Sequence, residues 1–291
     1  MTIANVKDLL ISASEEHYAV GAFNVTNPIQ MMAIVETATE RKSPVIIQTS
    51  VSVTKFYSLD LLVAIFRTLA EQAPIPVALH LDHCEEINLC KEAARAGYTN
   101  IMIDASKQSF IENVRRTKAV AEFCHALGTV TVEGELGTVS GIEDQIAVAA
   151  DEAQLCLPEE ALDFVSQTGV DFLAPAIGTA HGIYVTENPA VDIDRLEKIN
   201  RLINGDVVRV PLVIHGGSGL PHETVQQLVA VGGAKVNVST ELKHAFIDSS
   251  FEYLRENWGD YNPGRLDLAA KNGTKELINR WIDVIGSANR A

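Results

Sequence analysis

Eight short apolar runs alternating with helical patterns predict an α/β fold, a (β/α)8 TIM barrel with extra C-terminal helices, over residues 1–291 as a single domain. Three observations carry this. The runs are rich in Val, Ile, Leu and Ala without clean alternation, as expected of strands covered on both faces. A helical stretch separates most runs from the next, which favours parallel strands joined by right-handed crossovers. Helical patterns end near Gly97, Gly128, Gly169 and Gly232, each just before a new run, where glycine suits the residue that closes a helix. An open doubly wound sheet is the competing architecture, but the glycine-rich dinucleotide fingerprint is missing after the first strand.

In chain order, strands are expected at 21–25, 44–50, 77–83, 100–106, 129–135, 172–178, 211–217 and 235–240. Helices are expected at 28–41, 59–72, 86–96, 111–127, 158–168, 193–204 and 222–231. The first follows Asn27 as cap and has Pro28 at its first position, where the missing N–H costs nothing. Residues 251–291 read as helix beyond the barrel, with a Gly/Pro break at 261–264. Two strand-to-helix loops are long, 136–160 and 179–192, and long loops at the top of a barrel commonly carry function.

Composition narrows the function. There are 23 Lys and Arg against 38 Asp and Glu, a formal charge of −15. That balance argues against a nucleic-acid or anionic-membrane binder, since both need cations to displace counterions. Four cysteines without a CxxC spacing form neither a disulfide scaffold nor a thiolate zinc site. No signal-peptide pattern opens the chain and no apolar stretch approaches about 18 residues, so a soluble cytoplasmic protein is expected.

Chemically able residues gather where strands end: His80–Asp82–His83, Asp104–Ser106, Glu133–Glu135, His181–Gly182, His215–Gly219 and Asn237–Thr240. In a barrel these ends converge on one face. His83, His181 and His215 there make a catalytic zinc arrangement, three imidazoles with an open position, rather than three separate structural histidines. Asp82 is read either as an acid/base group near the metal or as a carboxylate fixing a ligand histidine; alternation along a strand would point it away from His83. Glu133, Glu135 and Asp104 could hold a second cation, orient the histidines or form salt bridges. Glu143 and Asp144 are either solvated charges or a base delivered by a mobile loop. Gly216, Gly217 and Ser218, with Asn237, Val238, Ser239 and Thr240, lie after strands seven and eight, where backbone N–H groups and hydroxyls of barrels bind phosphate.

Together these segments resemble the class II, zinc-dependent fructose/tagatose-bisphosphate aldolase family. The matching stretches are Gly21–Val25, Leu79–His83, Met102–Ser106, Val132–Gly137, Gly178–Gly182, His215–Gly219 and Lys235–Thr240, and the resemblance runs from about Val6 to Tyr261. It implies zinc on His83, His181 and His215, and Asp104 and Glu135 as ligands of a second, alternate metal position. It implies that Asp82 exchanges a proton with the hydroxyl at the cleaved bond and that Glu143 handles the proton at the dihydroxyacetone phosphate carbon. Asn24, Ser50, Gly182, Gly216 to Ser218 and Asn237 to Thr240 are implied contacts to the substrate, with a monovalent cation (Na+ or K+) near its phosphate. The expected reaction cleaves a ketose 1-phosphate or 1,6-bisphosphate to dihydroxyacetone phosphate and an aldehyde, through an enediolate whose charge zinc stabilises as a Lewis acid. A Schiff-base lysine, the other route to aldol cleavage, has no candidate on the sixth strand, although Lys107 lies near the top of the fourth. The resemblance also implies a homodimer or homotetramer and a place in carbohydrate metabolism such as glycolysis.

Two departures from the family pattern stand out. Cys84 takes a position often occupied by Gly and reads as a small buried residue, with redox or metal sensitivity as the other reading. In Tyr261–Arg265, Gly264 takes the place of an arginine that in relatives reaches a neighbouring subunit's second phosphate, and Arg265 is displaced by one residue. Either Arg265 substitutes, or the far end of the substrate is not a standard phosphate. The alternatives are therefore the same cleavage of a deoxy, keto-acid or sulfonated ketose phosphate, or a non-catalytic sugar-phosphate-binding subunit.

Overall fold

The computed structural model describes residues 3–143, 146–148, 154–182, 184, 189–205 and 207–291, with backbone only at 142–143 and 146–148. Eight parallel strands close a barrel: β1 (Val20–Asn24), β2 (Val45–Ser50), β3 (Val77–Cys84), β4 (Asn100–Ile103), β5 (Thr131–Leu136), β8 (Phe172–Pro175), β10 (Leu212–Ile214) and β11 (Gly233–Val238). Each pairs with the next, and β11 returns to β1 in the register Val20↔Lys235 to Phe23↔Val238. The strands lie where the apolar runs predict them, mostly ending one to three residues early because the last residues of each run leave the ladder to carry polar groups. The outer helices include α2 (Pro28–Arg41), α4 (Leu59–Gln72), α5 (Ile87–Ala96), α6 (Phe110–Ala126), α7 (Pro158–Thr168), α8 (Ile193–Asn204) and α9 (His222–Ala230). Asn27 caps α2 as expected, its side chain accepting from Gln30 N.

Four features go beyond the sequence reading. A helix α1 (Val6–Glu15) precedes the barrel, and a short α3 (Val51–Tyr57) follows β2. The long loops form a small sheet of β6 (Ser140–Glu143), β7 (Ile146–Val148) and β9 (Ala180–His181), with β6 in the middle. The C-terminal helical region starts earlier than expected: α10 runs Thr240–Glu256 and α11 runs Pro263–Val284. The break between them falls where the Gly/Pro segment predicts it, with the Asn262 side chain accepting from Gly264 N. Among the described residues no helix is long and apolar enough to cross a membrane.

The core has two parts. One lies between strands and helices and takes Leu79, Leu81, Ile101, Val132, Val236 and their neighbours. The other fills the lower interior of the barrel, where Val20, Ala22, Ile46, Ala78, Phe172 and Val213 meet Val6, Leu10 and Ala13 of α1. Thus α1 stoppers the end opposite the strand tips. Above this apolar layer the same interior rows continue as Asn24, Gln48, His80, Asp82, Glu133, Lys235 and Asn237, all buried. The side-chain period of two makes β1, β2 and β3 each pass from apolar to polar residues along the interior.

Because Leu10 is fully buried within the stopper, Leu10→Ala is expected to destabilise the chain by about 2–5 kcal/mol. Urea denaturation of the variant beside wild type measures it; an unchanged midpoint would remove α1 from the core.

Candidate functional site

The site stands on the strand tips. Asp82 and His80 occupy the interior face of β3, as alternation requires: Asp82 accepts from Asn24 Nδ2 at 2.6 Å, and His80 Nδ1 meets Asn100 Oδ1 at 2.8 Å. Alternation would then send His83 outward. It does not, because His83 has φ +45° and the β3–β4 register shifts between Leu81 and Cys84. A non-glycine residue with positive φ is uncommon and strained, and here it turns the imidazole inward next to Asp82. Asp82 and His83 therefore act on one side, which alternation alone does not predict.

His83, His181 and His215 converge. Their candidate ligand atoms lie within 4.8 Å of one another, and the His83 ring is 4.8 Å from that of His181 and 4.7 Å from that of His215. His181 arrives on β9, held to β6 by the pairing Gly141↔His181. That pairing needs glycine: a Cβ on Gly141, which has φ +104°, would lie 2.1 Å from His181 O. Carboxylates surround the rings. Asp104 Oδ2 is 2.9 Å from His83 Nδ1, and Asp104 also accepts from Ser106 N and Oγ. Glu133 Oε1 is 2.9 Å from His215 Nε2, and Glu133 Oε2 accepts from Lys235 Nζ at 2.9 Å. Glu135 Oε2 lies 3.5 Å from His215 Nδ1. His83, Asp104 and Glu135 form a second group able to hold a metal.

The electrostatics suit a cation. Burial pushes the carboxyl of Asp82 up, but His83, His80 and His215 outweigh it and hold the group well below its usual range. Burial likewise opposes ionisation of Asp104, yet its bonds to His83 and Ser106 keep it low. Glu135 goes the other way, raised by burial and by the charge of Asp104. Burial, with His83 and His215 nearby, holds His181 neutral, the state a ligand imidazole needs. His215 Nδ1 and Glu135 Oε2 are buried without a hydrogen-bond partner. Such orphans inside a carboxylate-rich pocket fit a divalent ion, whose charge offsets theirs. Three imidazoles with neighbouring carboxylates are a zinc-type donor set.

Beside the rings, His181, Gly182, Gly216, Ser218, Asn237, Ser239 and Thr240 line a small cavity at the start of α10. Ser218 Oγ accepts from Ser239 N and Glu241 N, and Ser239 Oγ is buried with no partner. Backbone amides, hydroxyls and a helix start favour an anion. Ser50 ends β2 opposite Asp82, with its Oγ 3.1 Å from Ser52 Oγ. Gly217 and Val238 lie on the same two strand-tip segments. Glu143 ends β6 and its side chain, like all of Asp144, lies outside the described residues. Arg265 is not brought to this cluster: it is exposed at the start of α11 and pairs with Asp260 at 3.0 Å. Cys84 is buried behind His83, its Sγ donating to Glu86 O, which fits the packing reading.

Three residues of the site escape a sequence reading. Lys235 and His80 sit in quoted segments but show their roles only through partners on other strands. Tyr184 lies past the long-loop segment His181–Gly182; its hydroxyl accepts from Ala180 N at 2.9 Å and donates to Gly216 O at 2.8 Å, tying the His181 loop to the glycine loop.

A family model described as Fructose-bisphosphate aldolase class-II matches residues 4–290. The YdjI aldolase from Escherichia coli K12 is 31% identical, with 99% of each chain covered and a TM-score of 0.86. A chain from Coccidioides immitis is 32% identical over 97% of this chain and 96% of its own, with a TM-score of 0.88. A fructose-bisphosphate aldolase from Campylobacter jejuni, at 23% identity, covers 98% of this chain and 95% of its own with a TM-score of 0.84, a likeness of fold.

At Gly216, φ is +68° and an added Cβ would lie 2.4 Å from Ala180 O. Gly216→Ala is therefore expected to weaken anion binding and, because the clash falls on the backbone beside His181, any metal binding at the histidines with it. Thermal shift with inorganic phosphate and a separate zinc titration check both halves; equal phosphate protection in variant and wild type would contradict the placement.

Proposed function

This chain belongs to the class II fructose-bisphosphate aldolase family and is thus a carbon–carbon lyase, and from that premise we propose that it is a zinc-dependent aldolase acting on a phosphorylated ketose. The proposed substrate is a ketose 1-phosphate or 1,6-bisphosphate of the tagatose or fructose type, and the products are dihydroxyacetone phosphate and an aldehyde such as glyceraldehyde 3-phosphate. The observation that carries the reading is the convergence of His83, His181 and His215 beside Asp82, next to the cavity of glycines and hydroxyls.

His83, His181 and His215 would hold the zinc, and Asp104 with Glu135 and His83 would hold a second divalent ion. Zinc bound there supplies a Lewis acid for the negative charge that develops as the carbon–carbon bond breaks. Asp82 takes the proton from the hydroxyl at that bond and returns it in the reverse direction. Its bond from Asn24 Nδ2, with Gln48 Nε2 donating in turn to Asn24 Oδ1, aims the carboxylate. Glu143 exchanges the proton at the phosphate-bearing fragment's carbon. Gly182, Gly216, Gly217, Ser218 and Asn237 to Thr240 seat the phosphate end, with Asn24 and Ser50 as further substrate contacts.

Arg265 favours a second reading of specificity. The arginine position of the family pattern holds Gly264, and Arg265 is engaged with Asp260. Within the same chemistry, this supports a ketose phosphate whose other end is a deoxy, keto-acid or sulfonated group.

We further propose a homodimer or homotetramer in the cytoplasm. The support is an apolar surface on α10, α11 and the turn between them, where Ile247, Phe251, Trp258, Tyr261 and Leu268 are all more than half exposed. Arg265 lies on the same projection.

Incubated with dihydroxyacetone phosphate in deuterated water, the enzyme should exchange a C3 proton for deuterium, seen by NMR, and a chelator should stop it. Absence of exchange with zinc and ligand both bound would sink the proposed chemistry. Cleavage rates across a panel of ketose phosphates then separate the two readings: preference for tagatose or fructose bisphosphate rejects the second. Phe251→Glu should shift the chain toward monomer in light scattering after size exclusion; an unchanged mass would place the interface elsewhere.

A further inference from the structure

Lys235 is fully buried in the middle of the barrel, on β11, and the proposed reaction gives it no task. It reaches across the interior to Glu133 on β5, also fully buried, with Nζ 2.9 Å from Oε2. The other oxygen, Oε1, is 2.9 Å from His215 Nε2. We propose that Lys235 is a positioning residue that selects, through Glu133, the metal-ready tautomer of His215. This rests on the reading of His215 as a zinc ligand.

For the neutral ring that a metal requires, the chain of donors and acceptors leaves one arrangement. An ammonium can only donate, and an ionised carboxylate can only accept. Glu133 bonded to Lys235 therefore takes its second bond from a protonated Nε2 of His215. That leaves the His215 lone pair on Nδ1, the buried atom with no hydrogen-bond partner that faces Glu135 and the His83 ring. The partner of a ligand histidine's distal nitrogen commonly sets which nitrogen binds metal. Here the partner is itself held by a lysine, and burial keeps water from substituting for either.

Glu133→Gln separates the links. The amide oxygen must face Lys235, so its NH2 faces His215 Nε2, and that nitrogen must then accept. The proton moves to Nδ1 and blocks the ligand atom. Removing the lysine as well, in Glu133→Gln with Lys235→Met, lets the amide turn round and accept from Nε2 again.

The test is a Zn2+ titration of the whole chain against a chromophoric chelator, with 15N NMR of labelled histidines in metal-free protein. His215→Ala serves as the control: if it binds Zn2+ as wild type does, the zinc reading itself fails, whereas the 15N spectra still judge the tautomer. Glu133→Gln should weaken Zn2+ binding by about 10–100-fold and show His215 protonated at Nδ1. The double variant should bind more tightly than Glu133→Gln alone and return the proton to Nε2, a recovery that a merely structural role for the pair does not produce. The proposal is overturned if Glu133→Gln binds as wild type does, or if the double variant is no better than the single. Should Glu133→Gln fail to fold, a metal-free wild-type spectrum with His215 protonated at Nδ1 overturns it by itself.

Discussion

Burial of ionisable groups inside the barrel is the constraint on which the rest of this structure depends. Asp82, Asp104, Glu133 and Glu135 are all buried, together with His80, His83, His215 and Lys235. Charges taken out of water persist only when each is paired or hydrogen-bonded, and breaking such a pair leaves an uncompensated charge at a cost of about 3–5 kcal/mol. The bonds of Asn24 to Asp82, Asp104 to His83 and Lys235 to Glu133 satisfy that requirement. The same bonds aim the groups. Stability and preorganisation are one network here, and the surplus of carboxylate over cation is what a divalent ion would neutralise.

The barrel makes the network affordable to fold because its lower interior is apolar. Phe172, Ile46, Val213 and the stopper helix residues Val6 and Leu10 exclude water from below, so polar residues need to be satisfied only toward the mouth. At the mouth the chain changes character. His181 comes from a two-residue strand clipped to Gly141, and Tyr184 bridges to the glycine loop. Strand tips thus carry Asp82, His83, Asp104 and His215, while a loop segment brings His181. A site that must admit a sugar phosphate and exclude water during reaction needs both kinds of support.

Much of this was legible in the sequence. The apolar runs at 44–50, 77–83 and 235–240 have the length and composition of doubly covered strands, and Asn27–Pro28 marks the start of α2 to the residue. The helix α1 goes beyond the sequence reading although Asn5 caps it and Val6, Leu10 and Ala13 keep helical spacing; the sheet of β6, β7 and β9 was not legible, because β6 is ordered by its pairing with β9. The sequence places the start of the C-terminal helices at 251, whereas α10 begins at Thr240, since its early turns carry mixed polar residues and only Leu242 is buried within it.

By itself, the sequence determined which residues stand at the strand ends, and so which chemistry gathers at the mouth, because hydrophobic runs, period-two alternation and capping residues are local properties. Tertiary structure alone decided how those residues face one another. The inward turn of His83 comes from a register shift between β3 and β4; Glu133 on β5 meets both His215 and Lys235 on β11; Arg265 pairs with Asp260 instead of joining the cluster. Each depends on a partner's geometry rather than on residue type, and a linear sequence carries types without geometry.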